Sequence, residues 1–166
     1  MSDLTHIDAD GNAHMVEVGD KAITARLAIA EGWIQLSEAG TRAVAERSAK
    51  KGDVLTTAQL AGIQGAKRTS DLIPLCHPLP LTGVKVELAL DAPSRRVHVV
   101  ARAKTEWRTG VEMEALTAVS TALLTVYDML KALDKGMVIG PIQLVQKEGG
   151  KSGAWSRDTD GETVRS

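Results

Sequence analysis

The sequence predicts an α+β domain: a ferredoxin-like, antiparallel four-stranded sheet with helices on one face and one extra helix, in the order βααββαβ. Three observations predict it. Val84–Leu90 and Arg96–Ala103 alternate apolar and polar residues on either side of a turn at Asp91-Ala92-Pro93-Ser94, the pattern of a hairpin. Apolar strand patterns recur before and after, in Lys21–Leu36 and Val138–Val145. Between the hairpin and the last strand lies the best helical periodicity in the chain, with Leu116, Val119, Leu123, Val126, Leu130 and Leu133 at alternating steps of three and four.

The elements follow in order. Met1–Gly19 mixes Asp, Asn, Gly and His without periodicity and reads as an arm. In the first strand Ile23, Ala25, Leu27 and Ile29 share one side, the apolar one, with Thr24, Arg26 and Ala28 on the other. Ser37 is an N-cap for a short helix that runs to Ser48. After the basic turn Ala49-Lys50-Lys51-Gly52, Asp53 caps a helix over Val54–Arg68. That helix holds Gly62 and Gly65, each costing roughly 1 kcal/mol against alanine, so a close packing partner is expected there. Ser70–Pro80 contains Pro74, Pro78 and Pro80, which forbid regular structure and favour a stiff extended loop. Thr109 and Glu112 fit a capping box at the start of the long helix, which Gly136 ends. The open face of the sheet is expected to be aliphatic and to pack on another subunit. The domain organisation is an N-terminal arm over 1–20, one catalytic domain over 21–148 and a C-terminal tail over 149–166.

Composition narrows the function. The 166 residues carry 20 Lys plus Arg and 21 Asp plus Glu, a net charge of −1, which argues against nucleic-acid and membrane-surface binding. Three Trp, one Tyr and no Phe make a poor base-stacking platform. The single Cys76 excludes a disulfide framework and fits a reducing, cytoplasmic setting. There is no apolar leader at the N-terminus and no apolar run of membrane-spanning length.

Several constellations carry chemistry. Asp128 and Lys131 are i, i+3 neighbours on the long helix, either a solvated ion pair or, if covered, a coupled pair suited to proton transfer. Glu112 has a capping duty, whereas Glu114 has none and is free for a ligand. His77 sits between Cys76 and Pro78, where prolines stiffen the loop for binding or for packing. Cys76 reads as a small apolar residue. Lys50 and Lys51 at a helix N-terminus suit phosphate, and Lys67 and Arg68 serve either phosphate or the helix dipole. Gly149-Gly150-Lys151-Ser152-Gly153 fails as a P-loop because the first glycine of that motif would fall at Val145. Lys147 and Lys151 remain as cations beside it. These residues alone describe a small α+β oligomer able to handle an anionic phosphate ligand. A non-catalytic nucleotide-binding module would need the cations and Glu114 but has no use for the Asp128–Lys131 pair.

The same residues resemble a known family. Lys51-Gly52-Asp53-Val54, Ala61-Gly62-Ile63, the run from Ala66 to Leu79, Thr109 to Ala118, Tyr127-Asp128-Met129 and Asp134 to Gly140 are similar to cyclic pyranopterin monophosphate synthase, the molybdenum-cofactor biosynthesis accessory protein C. His14 to Val18 and Gly149 to Gly153 resemble it too. The resemblance implies a lyase that takes 3′,8-cyclo-7,8-dihydroguanosine 5′-triphosphate, the product of a radical-SAM GTP cyclase. It rebuilds the rings into a pyranopterin, closes a cyclic phosphate and releases pyrophosphate. Carried over to this chain, the catalytic positions are Lys51, Asp128 and Lys131. Substrate-contacting positions are Arg26, Lys67, Leu75, Cys76, His77, Glu112, Met113, Glu114 and Lys147. The resemblance further implies a hexamer, a trimer of dimers with each site between two subunits. It leaves metal dependence open, with Mg²⁺ as the ion that would accompany the phosphates. Two departures stand out: Leu130 where the family has Cys, leaving both catalytic neighbours in place, and Gly65 where Ala is common, expected to be tolerated. A partly desolvated Lys51 or Lys131 would titrate closer to neutral and exchange protons, with Asp128 orienting Lys131.

Overall fold

The computed structural model describes residues 5–157 and 163–165. The elements are β1 (Thr24–Gln35), α1 (Glu38–Ala45), α2 (Val54–Lys67), α3 (Thr69–Leu72), β2 (Leu81–Asp91), β3 (Arg96–Trp107), α4 (Glu112–Leu130), β4 (Val138–Glu148), β5 (Trp155–Arg157) and β6 (Thr163–Arg165). They form one antiparallel sheet in the order β2-β3-β1-β4-β5-β6. The first four strands have the expected ferredoxin-like order. The sheet is larger than the four strands expected, because β5 and β6 continue it from β4.

The helices lie on one face, with α4 against β1, β3 and β4, and α2 against α4 and β2. Val97, Val99, Ala101 and Ala103 of β3 face them fully buried, as do Ala28, Ala30 and Ile34 of β1. This reverses the expected orientation of β1. Its aliphatic set Leu27 and Ile29 lies on the open face, and its small residues face the helices. Close approach is the reason: a side chain at Gly32 would meet Val119 Cγ1 at 2.8 Å. The glycines of α2 have the same cause. A Cβ at Gly62 would lie 3.0 Å from the Ala118 carbonyl oxygen, and one at Gly65 would lie 2.7 Å from Thr121 Cβ. By length and composition α4 could cross a membrane, but more than half of it is buried as the core helix of this domain.

Both predicted N-caps are present: Ser37 Oγ accepts from Gly40 N, and Asp53 Oδ1 accepts from Thr56 N, each at 3.0 Å. The capping box at Thr109 is not. Val111 occupies the N-cap of α4 without a side-chain cap bond, and Glu112 turns instead toward Lys147. The proline-rich segment begins with one helical turn, α3; Ile73, before Pro74, leaves the helix, a turn at Pro74-Leu75 is closed by Cys76 N donating to the Ile73 carbonyl at 3.1 Å, and the irregular loop follows from Cys76. The open sheet face is also less apolar than expected. Leu27, Ile29, Trp33 and Val100 share it with Glu31, Glu87, His98 and Arg102.

Candidate functional site

The residues expected at the site fall into two groups, one at each end of α4. The first surrounds its N-terminus. Lys67 ends α2, and the loop stiffened by Pro74 and Pro78 carries Leu75, Cys76 and His77 past the first turn of α4. A cavity of about 410 Å³ is lined by Lys67, Ser70, His77, Leu79 and Glu114. An adjoining groove of about 580 Å³ shares His77 and Glu114 and adds Leu75, Cys76 and Met113. Val16 and Val18 of the N-terminal arm form the groove's other wall. The Val16 carbonyl lies 2.7 Å from His77 Nε2 and can only accept, so Nε2 carries a hydrogen.

Glu114 stands where cavity and groove meet. It is 4% exposed. Burial, with help from neighbouring Glu112, lifts its carboxyl to about 7 against the opposing pull of its own backbone N–H. At neutral pH it can therefore either donate or accept a hydrogen bond. Burial and then Glu114 raise the Cys76 thiol, which keeps it protonated and a poor nucleophile.

Arg26 and Lys147 reach this end from adjacent strands, on the helix side of the sheet. Arg26 Nε donates to the Trp107 carbonyl at 3.1 Å. Lys147 Nζ lies 3.5 Å from Glu112 and donates to Ser152 Oγ at 2.5 Å.

The second group is at the C-terminus of α4. Lys131 Nζ donates to Asp128 Oδ1 at 2.7 Å, as the i, i+3 spacing requires. Lys51, in the turn before α2, donates to Asp128 Oδ2 at 2.8 Å and to the Asp128 carbonyl at 3.0 Å. Spacing alone could not show this second lysine, which is 77 residues away in the chain. The side chains are about half exposed, at 50% for each lysine and 53% for Asp128. Hydrogen bonds from Lys131 and then Lys51 hold the Asp128 carboxyl down at about 2, and Asp128 holds Lys131 above its ordinary value. The expected shift of Lys131 toward neutrality is thus reversed within one chain. Its neighbour is a carboxylate rather than a cation, and desolvation of this half-exposed group is outweighed by that attraction. An apolar groove of about 470 Å³ adjoins the triad, with Ala43, Ala49, Met129 and Leu133 in its walls.

Fourteen residues of helix separate Glu114 from Asp128, about 21 Å at 1.5 Å per residue. The two groups thus lie at opposite ends of α4. The sequence reading also passed over a cluster on the open sheet face. Glu31 accepts from Gln143 Nε2 at 2.9 Å and lies 3.0 Å from His98 Nε2, and the His98 ring stacks on Trp33 at 4.7 Å. Strand alternation places Glu31 on that face, but only strand pairing brings its partners. Among the described residues no three His, Cys, Asp or Glu side chains converge on a metal position.

Compared with known protein families, residues 15–150 match the model of the MoaC family.

Proposed function

The chain belongs to the MoaC family of molybdenum-cofactor biosynthesis enzymes, and from that premise we propose that it converts 3′,8-cyclo-7,8-dihydroguanosine 5′-triphosphate to cyclic pyranopterin monophosphate. The family's place in biosynthesis implies a small pterin precursor as substrate. The observation that carries the finer reading is the bridging of Lys51 and Lys131 by one Asp128 carboxylate, at 2.8 and 2.7 Å, inside the matched region.

In this reading the purine-derived end enters the groove beside Leu75, Cys76, His77 and Met113, and Glu114 takes its N–H edge. Lys67, Arg26 and Lys147 neutralise the triphosphate. Glu112 holds Lys147 from the helix start. Ring opening and pterin closure need several proton transfers. Lys51 and Lys131 carry them, and Asp128 positions both ammonium groups. In the final closure a sugar hydroxyl oxygen bonds to the α-phosphorus, its proton leaves, and the α–β phosphate linkage breaks to release pyrophosphate. The reaction is that of a phosphorus–oxygen lyase.

The 21 Å between the two groups supports a site shared between subunits, with the triad of one protomer facing the cavity of its partner. A trimer of dimers acting in the cytoplasm, supplied by a radical-SAM GTP cyclase, completes the reading.

The test is direct incubation of the purified chain with the cyclic triphosphate, followed by assays for pyrophosphate and for the oxidised pterin. Both products are expected in equal amounts. Asp128→Ala and Lys51→Ala are each expected to lower turnover by about 10²–10⁴-fold, the usual worth of positioned acid–base groups. Full turnover in either variant overturns the assignment. Binding of the triphosphate without either product would favour a non-catalytic nucleotide-binding module.

A further inference from the structure

The turn after β4 carries three glycines with left-handed backbone, Gly149 at φ 90°, Gly150 at φ 77° and Gly153 at φ 68°. Only two of them touch the rest of the domain. A Cβ at Gly149 would run into the Ala25 carbonyl and lie 3.3 Å from Arg26 Cα. A Cβ at Gly150 would run into Arg26 Nη1 and lie 2.9 Å from its Cζ. Around Gly153 there is open space. The Arg26 guanidinium therefore occupies the volume that a side chain at position 150 would need.

The rest of the turn grips the other cation. Gly153 N donates to the Gly150 carbonyl at 3.2 Å, closing a turn with Lys151 and Ser152 at its centre. Ser152 Oγ accepts from Lys147 Nζ at 2.5 Å. Pairing of β1 with β4 sets Ala28 opposite Lys147, so Arg26 lies two residues farther along, beside the turn. Arg26 is held on its Nε side by the Trp107 carbonyl, and among the described residues its Nη nitrogens have no carboxylate partner. They remain available to an anion.

We propose that the Gly149–Ser152 turn is a positioning device for the substrate's phosphate chain: its glycine backbone sets the Arg26 guanidinium, and the Ser152 hydroxyl sets the Lys147 ammonium. This rests on the reading of Arg26 and Lys147 as phosphate-binding groups. Gly149, Gly150 and Ser152 are positioning residues, acting through those two cations. The failed P-loop resemblance of this segment is explained by the geometry. The turn addresses phosphate through neighbouring side chains, and not by wrapping it in a helix N-terminus.

The experiment uses the full chain and the cyclic triphosphate, reading KM and kcat from pyrophosphate release. Gly150→Ala is expected to raise KM about tenfold, the worth of a misdirected charge-assisted hydrogen bond. Gly153→Ala, with the same backbone strain and no contact, is expected to leave KM within about twofold. In an Arg26→Ala background, Gly150→Ala is expected to add no further loss, because the contact it disturbs is gone. An equal effect of Gly150→Ala with and without Arg26, or an equal effect of Gly153→Ala, overturns the proposal. Arg26→Ala with unchanged KM overturns it differently, by removing the phosphate reading of Arg26 itself. Should Gly150→Ala not fold, Ser152→Ala leaves the backbone unaltered. It is expected to raise KM about threefold with Lys147 present and not in a Lys147→Ala background. No change in KM for Ser152→Ala then overturns the proposal.

Discussion

Glu114 is the one charged side chain that is fully buried among the described residues. It stands on the first turn of α4, where cavity and groove meet. Its protonation links stability to pH. The ordinary value near 4.5 holds in the unfolded chain, and the folded value is about 7. Between these values the folded chain binds more protons than the unfolded chain. The associated stability is therefore complete below 4.5 and is lost as pH rises through 7. Between pH 5 and pH 8 the loss amounts to about 2–3 kcal/mol. Unfolding free energies from urea titrations at pH 5 and pH 8 are expected to differ by this much more in the unmodified chain than in Glu114→Gln. An equal difference in both would show that Glu114 is ionised throughout. Asp128 shows the opposite case. Its carboxyl is held down at about 2 by two lysines, so it stays charged over the whole working range. In the proposed reaction it therefore places the ammonium groups, and the lysines move the protons.

At the scale of elements, the contact between α2 and α4 decides what each helix can carry. A Cβ at Gly65 would run into Thr121 Oγ1 and lie 2.7 Å from Thr121 Cβ and 3.2 Å from the Thr117 carbonyl. Replacing glycine by alanine inside a helix gains about 1 kcal/mol of propensity. Overpacking a tight contact costs about 1–3 kcal/mol. Gly65→Ala is thus expected to lower the urea midpoint despite the better helix former. In a Thr121→Gly background the same substitution is expected to cost at least about 1 kcal/mol less, and full additivity would show the contact to be soft. Element order, the hairpin and the caps at Ser37 and Asp53 were legible in the sequence, because each rests on local chemistry. What failed needed a partner. The buried side of β1 is set by how closely α4 approaches, so the small residues face inward and the larger Leu27 and Ile29 do not. Glu112 has the spacing of a capping residue, but Lys147 on β4 draws it away. The same limit applied to the candidate site. Asp128 with Lys131 could be read from helical spacing, whereas Lys51 joins them only through the packing of α2 against α4.

At the scale of the molecule, the two ends of α4 pose a geometric question that a complementation experiment answers. Lys51, Asp128 and Lys131 are tied together at one end, and Lys67, His77 and Glu114 line a cavity at the other, about 21 Å away. A site within one chain would need a ligand that reaches from one end of the helix to the other. A site between two copies needs only that the triad of one copy approach the cavity of the other, and two-fold symmetry then builds two such sites per dimer. The two arrangements differ in complementation. Asp128→Ala inactivates one end and Glu114→Ala the other. Co-expressed chains that mix at random form mixed dimers half the time, and each such dimer has one site with both ends intact. About a quarter of the unmodified activity is therefore expected from the mixture, against almost none from either variant alone. If each chain carried its own complete site, every chain in the mixture would remain defective and mixing would restore nothing. Pyrophosphate release from the co-expressed pair, compared with the two variants purified separately and combined without exchange, decides between them.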